Sequence, residues 1–208
     1  MSEYIEYGYQ SADPHQSHKY LFSVIKNLLA DKKKKILDVG CGNGSLVIEL
    51  LKLGYDAYGI DASIEGITIA KKKYPDRFYI LDLSKTHIPS ELSDVKFEVI
   101  ISTEVIEHLH SPRSLISFCK DIFLKNNIKG DLIISTPYHG YFKNLVLAVS
   151  NKMDSHFTAL WEGGHIKFWS RKSLTKLLTD NGFKVTHFVG CGRLPLLWKS
   201  MIVKAELK

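Results

Sequence analysis

Short apolar runs alternate with longer amphipathic ones along most of this chain. Residues 17–31, "SHKYLFSVIKNLLAD", carry apolar side chains at helical spacing. "KILDVG" (35–40) is a compact apolar strand ending in glycine, and "SLVIELLKLG" (45–54) is a helix closed by Gly54. The same beat predicts a strand at 55–61, a helix at 63–74 stopped by Pro75, and strands at 77–83 and 97–102. A helix is expected straight after 102, across "TEVIEHL", and another at 112–127 with a proline at its start. A strand follows at 130–137. Residues 170–183 read as a helix with an Asn181-Gly182 stop, and strands at 183–190 and 197–207 follow with no helix between them.

Strands alternating with helices predict an α/β fold with a Rossmann-like, doubly wound, mostly parallel seven-stranded sheet. The last two strands, joined directly, predict an antiparallel C-terminal edge strand. Residues 1–208 read as a single domain. The stretch 138–169 breaks the alternation, and long loops beyond the carboxyl ends of such strands usually carry specificity, so it is expected to be an insertion on the substrate side.

Composition adds bounds. The 208 residues are 45% hydrophobic and 24% charged, ordinary for a soluble globular chain. No apolar run approaches the roughly 18–20 residues of a spanning helix. "MSEYIEYGYQ" is acidic and aromatic, unlike a signal peptide. Cys41, Cys119 and Cys191 form no CxxC pair and read as reduced thiols of a cytoplasmic protein. The net charge of +6 gathers in "DKKKK" (31–35) and "KKK" (71–73), where cations suit helix ends. No aromatic residues interleave with those lysines, which counts against a nucleic-acid partner.

Two stretches carry chemistry. "LDVGCGNGSL" places Gly40, Gly42 and Gly44 at the turn from first strand to first sheet helix, where the backbone can pass close to a ligand. The spacing is GxGxG, not the GxGxxG of dinucleotide enzymes. Asp38 is placed to accept from a ligand ammonium. Asp61, 21 residues after Gly40, suits a ribose diol, and Asp82 can meet an adenine amino group. The second stretch is "STEVIEH". On a helix, Glu104, Glu107 and His108 share one face and form a mostly hard ligand set suited to Mg²⁺, Mn²⁺ or Zn²⁺. The rival readings are a basic or substrate-contacting His108 and a purely structural turn. His139 is a candidate to face the same site, whereas His110, His156 and His187 read as surface or structural residues.

"ILDVGCGNGSLVIEL", "YGIDAS", "ILDL" and "FEVIISTEVIEHL" together resemble the class I S-adenosylmethionine-dependent methyltransferases, over nearly the whole chain from about residue 30. The resemblance implies that Gly40, Cys41 and Gly42 face the methionine part of the cofactor. It implies that Asp61 and Ala62 meet the ribose, that Asp82 and Leu83 flank the adenine, and that Ser102 and Thr103 line the methionine end. Residues 1–30, with His15 and His18, would form an N-terminal helical lid. "TEVIEHL", "IISTPYHGYFKNL" and "GGHIKFWSRKSL" are similar to two groups within that family. These are the ubiquinone-biosynthesis O-methyltransferases and the small-RNA 3′-terminal 2′-O-methyltransferases. The second group binds a divalent ion through Glu-x-x-Glu-His and a later histidine, which implies Glu104, Glu107, His108 and His165 as metal ligands here.

The expected function is therefore O-methylation of a small-molecule hydroxyl acceptor, apolar or phenolic, with His108 and Glu104 as catalytic groups. RNA 2′-O-methylation and a non-catalytic S-adenosylmethionine-binding module are the alternatives. The segment "YFKNLVLAVS" (141–150) would cover an apolar acceptor, touch a membrane surface, or pack in the core.

Overall fold

A computed structural model describes residues 8–14, 17–29, 31–83 and 88–208. Its sheet is built from β1 (Lys35–Val39), β2 (Asp56–Asp61), β3 (Phe78–Ile80), β4 (Val99–Thr103), β5 (Asp131–Pro137), β6 (Phe183–Cys191) and β7 (Ser200–Leu207). The strand order is β3-β2-β1-β4-β5-β7-β6. The first five are mutually parallel, and β7 runs antiparallel to both its neighbours. The expected architecture is present, with one refinement. The antiparallel C-terminal strand lies one place in from the edge, which β6 forms. Burial explains the order: Met201, Ile202 and Val203 are fully buried, whereas most of β6 is only half-buried. A strand covered on both faces reads as a continuous apolar run, and of the two only β7 does.

Helices cover both faces. α1 (His18–Leu28), α2 (Ser45–Lys52) and α3 (Ile64–Lys71) bury Leu21, Ile25, Leu46, Val47 and Ile67 against Ile36, Val99, Ile101 and Ile133. α4 (Pro112–Lys125) and α7 (Arg171–Asp180) bury Ile116, Phe123, Leu174 and Leu178 against Leu37, Ile100, Leu132 and Val203 on the opposite face. Neighbouring residues of one strand thus serve different layers, because successive side chains alternate across a sheet. The three cysteines are buried and free, as their spacing suggested.

The winding of the sheet reverses between β1 and β4, which opens a crevice at their carboxyl ends. The chain leaving β1 is the glycine loop, and the chain leaving β4 is "EVIEH". The stretch after β5 folds as α5 (Tyr141–Val149), α6 (Met153–Phe157) and a loop that returns to the same crevice. Among the described residues no helix is long and apolar enough to cross a membrane.

One expected helix is missing. Residues 104–110 form turns, and Glu104 takes a left-handed backbone with φ of 53°. That conformation ends the strand and lets Ile106 drop into the core, fully buried. A single turn closes where the His108 N–H donates to the Val105 carbonyl. The shared helical face expected for Glu104, Glu107 and His108 therefore does not exist.

Candidate cofactor cavity and ligand cluster

A cavity of about 970 Å³ occupies the crevice. Its floor is the glycine loop, in which Gly40, Gly42 and Gly44 all have positive φ, between 53° and 81°. Asp61 holds this loop in place: one carboxylate oxygen accepts from the Gly42 N–H at 2.7 Å and the other from the Ser63 N–H at 2.8 Å. Ser63 then caps α3 by accepting from the Gly66 N–H. Asp61 is thus a structural brace as well as a cavity wall. Asp38, Cys41, Ala62, Asp82, Leu83 and Thr103 line the same space, so all but one of the residues assigned to the cofactor by sequence meet at one cavity. Ser102 does not. It is fully buried and its hydroxyl donates to the Val39 carbonyl, tying β4 to β1.

Asp38 is the most informative wall. It is fully buried, and neither carboxylate oxygen has a hydrogen-bond partner among the described residues. Burial, with the Asp61 carboxylate adding to it, pushes its pKa up to about 8. A buried acid without a donor invites a cationic ligand group. The α-ammonium of an amino-acid moiety fits that requirement.

At the far side of the cavity Glu107, His108 and His165 converge, with one ligand atom of each within 4.8 Å of the others. The two imidazole rings lie 4.9 Å apart in an edge-to-face arrangement. The loop is drawn there by the Glu107 backbone, whose carbonyl accepts from the N–H groups of Ile166 and Lys167 at 2.9 Å each. His108 Nδ1 lies 2.9 Å from the Gly163 carbonyl and 3.2 Å from that of Gly164. Nδ1 must donate there, which leaves the lone pair on Nε2. Thr136 donates to one Glu107 oxygen at 3.0 Å, and the other, Oε1, is buried with no hydrogen-bond partner among the described residues. Burial lowers the pKa of both histidines, that of His165 to about 4, and raises that of Glu107. Two neutral imidazoles, one held by a carbonyl, and a carboxylate with an unpaired oxygen make a donor set suited to a divalent cation.

Glu104 stands apart from this group. Its oxygens accept from Ser135 at 2.8 Å and Ser200 at 3.2 Å, and burial raises its pKa to about 7. The reason is the sheet. Ser135 and Thr136 are consecutive on β5 and point to opposite faces, so Glu104 is held on the α1 side and Glu107 on the α4 side. The four-ligand set expected for Glu104, Glu107, His108 and His165 is reduced to three by this geometry. Glu104 still lines the cavity.

The other histidines divide. His110, read as a surface residue, lies exposed at the cavity rim, and His18 of α1 lines the wall. His15 lies outside the described residues. His139 does not enter the cavity; it packs against His156, Phe157 and Phe168 beneath α6. α5 is no core helix. Lys143 is its buried residue, donating to the Tyr138 carbonyl at 2.8 Å, while Tyr141 is 84% exposed and Leu145 and Val149 also face outward. Sequence reasoning missed Tyr9, Asn43 and Trp161, which line the cavity, and the hydroxyls of Ser135, Thr136 and Ser200. No local pattern marks them, because strand pairing and loop closure bring them in.

A family model described as a methyltransferase domain matches residues 14–188. Ubiquinone biosynthesis O-methyltransferase of Actinobacillus pleuropneumoniae is 33% identical over 101 residues, covering 46% of this chain and 43% of that protein. The enzyme of the same name from Bradyrhizobium diazoefficiens is 27% identical over 160 residues, covering 75% of this chain and 60% of that protein. The chain therefore spans about half the length of these curated relatives. Magnesium protoporphyrin IX methyltransferase from Synechocystis, solved with bound S-adenosylhomocysteine, superposes with a TM-score of 0.66 at 20% identity, covering 90% of this chain and 82% of that one. The methyltransferase domain of bacterial CtHen1-CN gives 0.62 at 22% identity, covering 93% of this chain and 100% of that one. At such identities both are likenesses of fold. With the matched domain spanning the glycine loop, the cavity and the ligand cluster, the chain belongs to the methyltransferase domain family, of the class I S-adenosylmethionine-dependent kind.

Proposed function

We propose that this chain transfers the methyl group of S-adenosylmethionine to a hydroxyl oxygen of a small-molecule acceptor seated beside Glu107, His108 and His165. The convergence of those three side chains at the acceptor end of the cavity carries the reading. The curated O-methyltransferase relatives agree with it.

Each region of the cavity has a task. Asp38 meets the ammonium of the methionine moiety, and the Gly40–Gly42 backbone leaves room for its chain. Asp61 and Ala62 face the ribose, Asp82 and Leu83 the adenine, and Thr103 the methionine end. Glu107, His108 and His165 would hold a divalent cation of the magnesium, manganese or zinc type. Such an ion, when bound, lowers the pKa of a coordinated hydroxyl and orients it. The acceptor oxygen attacks the methyl carbon, the carbon–sulfur bond breaks, and its electron pair stays on sulfur. The acceptor proton passes to Glu104, whose pKa of about 7 lets it take a proton near neutrality. The Trp161 ring, edge-on to His108 at 6.1 Å, forms a flat wall for an aromatic acceptor. Most of the work is alignment and exclusion of water.

The test is methyl transfer to a catechol, a primary amine and a short RNA, each with and without chelator. Catechol methylation that chelator abolishes, with cofactor binding retained, supports the proposal. Full activity in chelator would make His108 a direct base or substrate contact instead. Methylation confined to the RNA would move the acceptor to a ribose.

A further inference from the structure

The middle residue of the GNG turn, Asn43, lines the cavity and also grips the N-terminal segment. It is 3% exposed, and its side-chain N–H₂ donates to the backbone carbonyls of Ser11 at 2.8 Å and Asp13 at 2.9 Å. Its Oδ1 accepts from the Ser45 N–H at the start of α2, so the amide is held at both ends. The segment it grips has its own turn, in which Ser11 Oγ donates to the Asp13 carboxylate and accepts from the Asp13 N–H. From that turn the chain runs back to Tyr9, which lines the cavity. A Cβ added at Gly42 would lie 2.5 Å from the Tyr9 hydroxyl, so the phenol stands directly over the glycine loop.

From this geometry we infer that residues 8–14 form a strap across the cofactor cavity and that Asn43 is its latch, a positioning residue that sets how fast the cofactor leaves. The inference rests on reading the cavity as the S-adenosylmethionine site. Tyr9 closes the cavity from above, and the strap reaches its position only while two carbonyls of 11–13 are bonded to the loop beneath. The latch is specific in its chemistry. An amide supplies two donors to two carbonyls, whereas a carboxylate would oppose them with acceptors.

The experiment uses the full chain, wild type, Asn43→Ala, Asn43→Asp, Tyr9→Ala and the Asn43→Ala/Tyr9→Ala double variant. Hydrogen exchange without ligand reads the strap, and stopped-flow dissociation of S-adenosylhomocysteine reads its effect. Loss of two such hydrogen bonds corresponds to an off-rate rise of about tenfold in Asn43→Ala, with a larger rise in Asn43→Asp. Amides of 8–14 should exchange faster while those of α2 keep their protection. KM for S-adenosylmethionine should rise more than kcat falls. Because Asn43 acts through the strap, the double variant should release ligand about as fast as Tyr9→Ala alone. Unchanged exchange at 8–14, or fully additive off-rates in the double variant, overturns the latch. A wild-type chain that binds no S-adenosylhomocysteine would instead defeat the cofactor reading, and the exchange result would still decide whether Asn43 holds the strap.

Discussion

Asp38 joins local chemistry to pH. In the fold its pKa is about 8, against 3.8 for the free residue, so the folded chain holds the extra proton between those values. The stability it contributes without cofactor is therefore fully present below about pH 4 and lost as pH rises through about 8. An ammonium beside the carboxylate reverses the preference. S-adenosylmethionine binding near neutral pH should release a proton, seen by calorimetry in buffers of different ionisation enthalpy, and affinity should rise with pH. Asp38→Asn should remove both effects; a proton release that survives would clear Asp38 of the role. Asp61→Ala should weaken cofactor binding by about 1.5–3 kcal/mol, since a charged acceptor is lost. It should also lower the melting temperature, because the N–H groups of Gly42 and Ser63 lose their partner. Glu107→Ala and His165→Ala should each lower divalent-ion affinity at least tenfold by isothermal titration while leaving cofactor affinity close to wild type. Ion affinity should rise with pH, because burial raises the Glu107 pKa and an ion binds the ionised carboxylate. Equal ion affinity in both variants would dissolve the cluster as a metal site.

Elements fail or succeed by their caps and by what they cover. α7 begins with a full capping box, Ser170 and Ser173 each bonding the other's backbone N–H. Ser170→Ala should cost about 1 kcal/mol in chemical denaturation. The turn at 104–110 has no such start. Its residues answer to Ile106, which is buried in the core, and to Glu107, which anchors two N–H groups of the returning loop. α5 shows the converse: its apolar residues face outward rather than inward. Leu145→Ser with Val149→Ser should therefore shift stability by only about 0.5 kcal/mol per site in thermal unfolding. Turnover of apolar acceptors should fall more than that of water-soluble ones. A large loss of stability instead would show that this face is covered in solution.

At the scale of the molecule, the cavity is assembled from chain segments far apart in sequence: the strap, the glycine loop, the ends of β2 and β4, and the loop at 161–165. A ligand bound only by the folded state raises its stability, by about 2.7 kcal/mol at a hundredfold excess over Kd. For a chain of this size that is a rise in melting temperature of about 5–10 °C. S-adenosylmethionine should produce it by differential scanning fluorimetry, and adenosine alone should produce much less, lacking the group that meets Asp38. Equal shifts from both would place the binding energy on the adenine side.

The periodicity of the sequence determined the α/β class, most of the helices and strands and the sheet's parallel half, because burial on two faces demands continuous apolar runs that no other arrangement tolerates. It also put Asp38, Gly40, Gly42, Asp61 and Asp82 at strand ends that the fold brings to one crevice, whereas their roles toward a cofactor were implied by the family resemblance. What "STEVIEH" would do was decided only in three dimensions. A helical spacing of two acids and a histidine was read as one face, yet Ser135 and Thr136 on a strand that pairs with β4 draw the acids to opposite sides of the sheet. His165 reached His108 through loop closure, and Asn43 reached the N-terminal segment across about thirty residues of chain. Contacts of that kind depend on strand order and register, which local spacing does not encode.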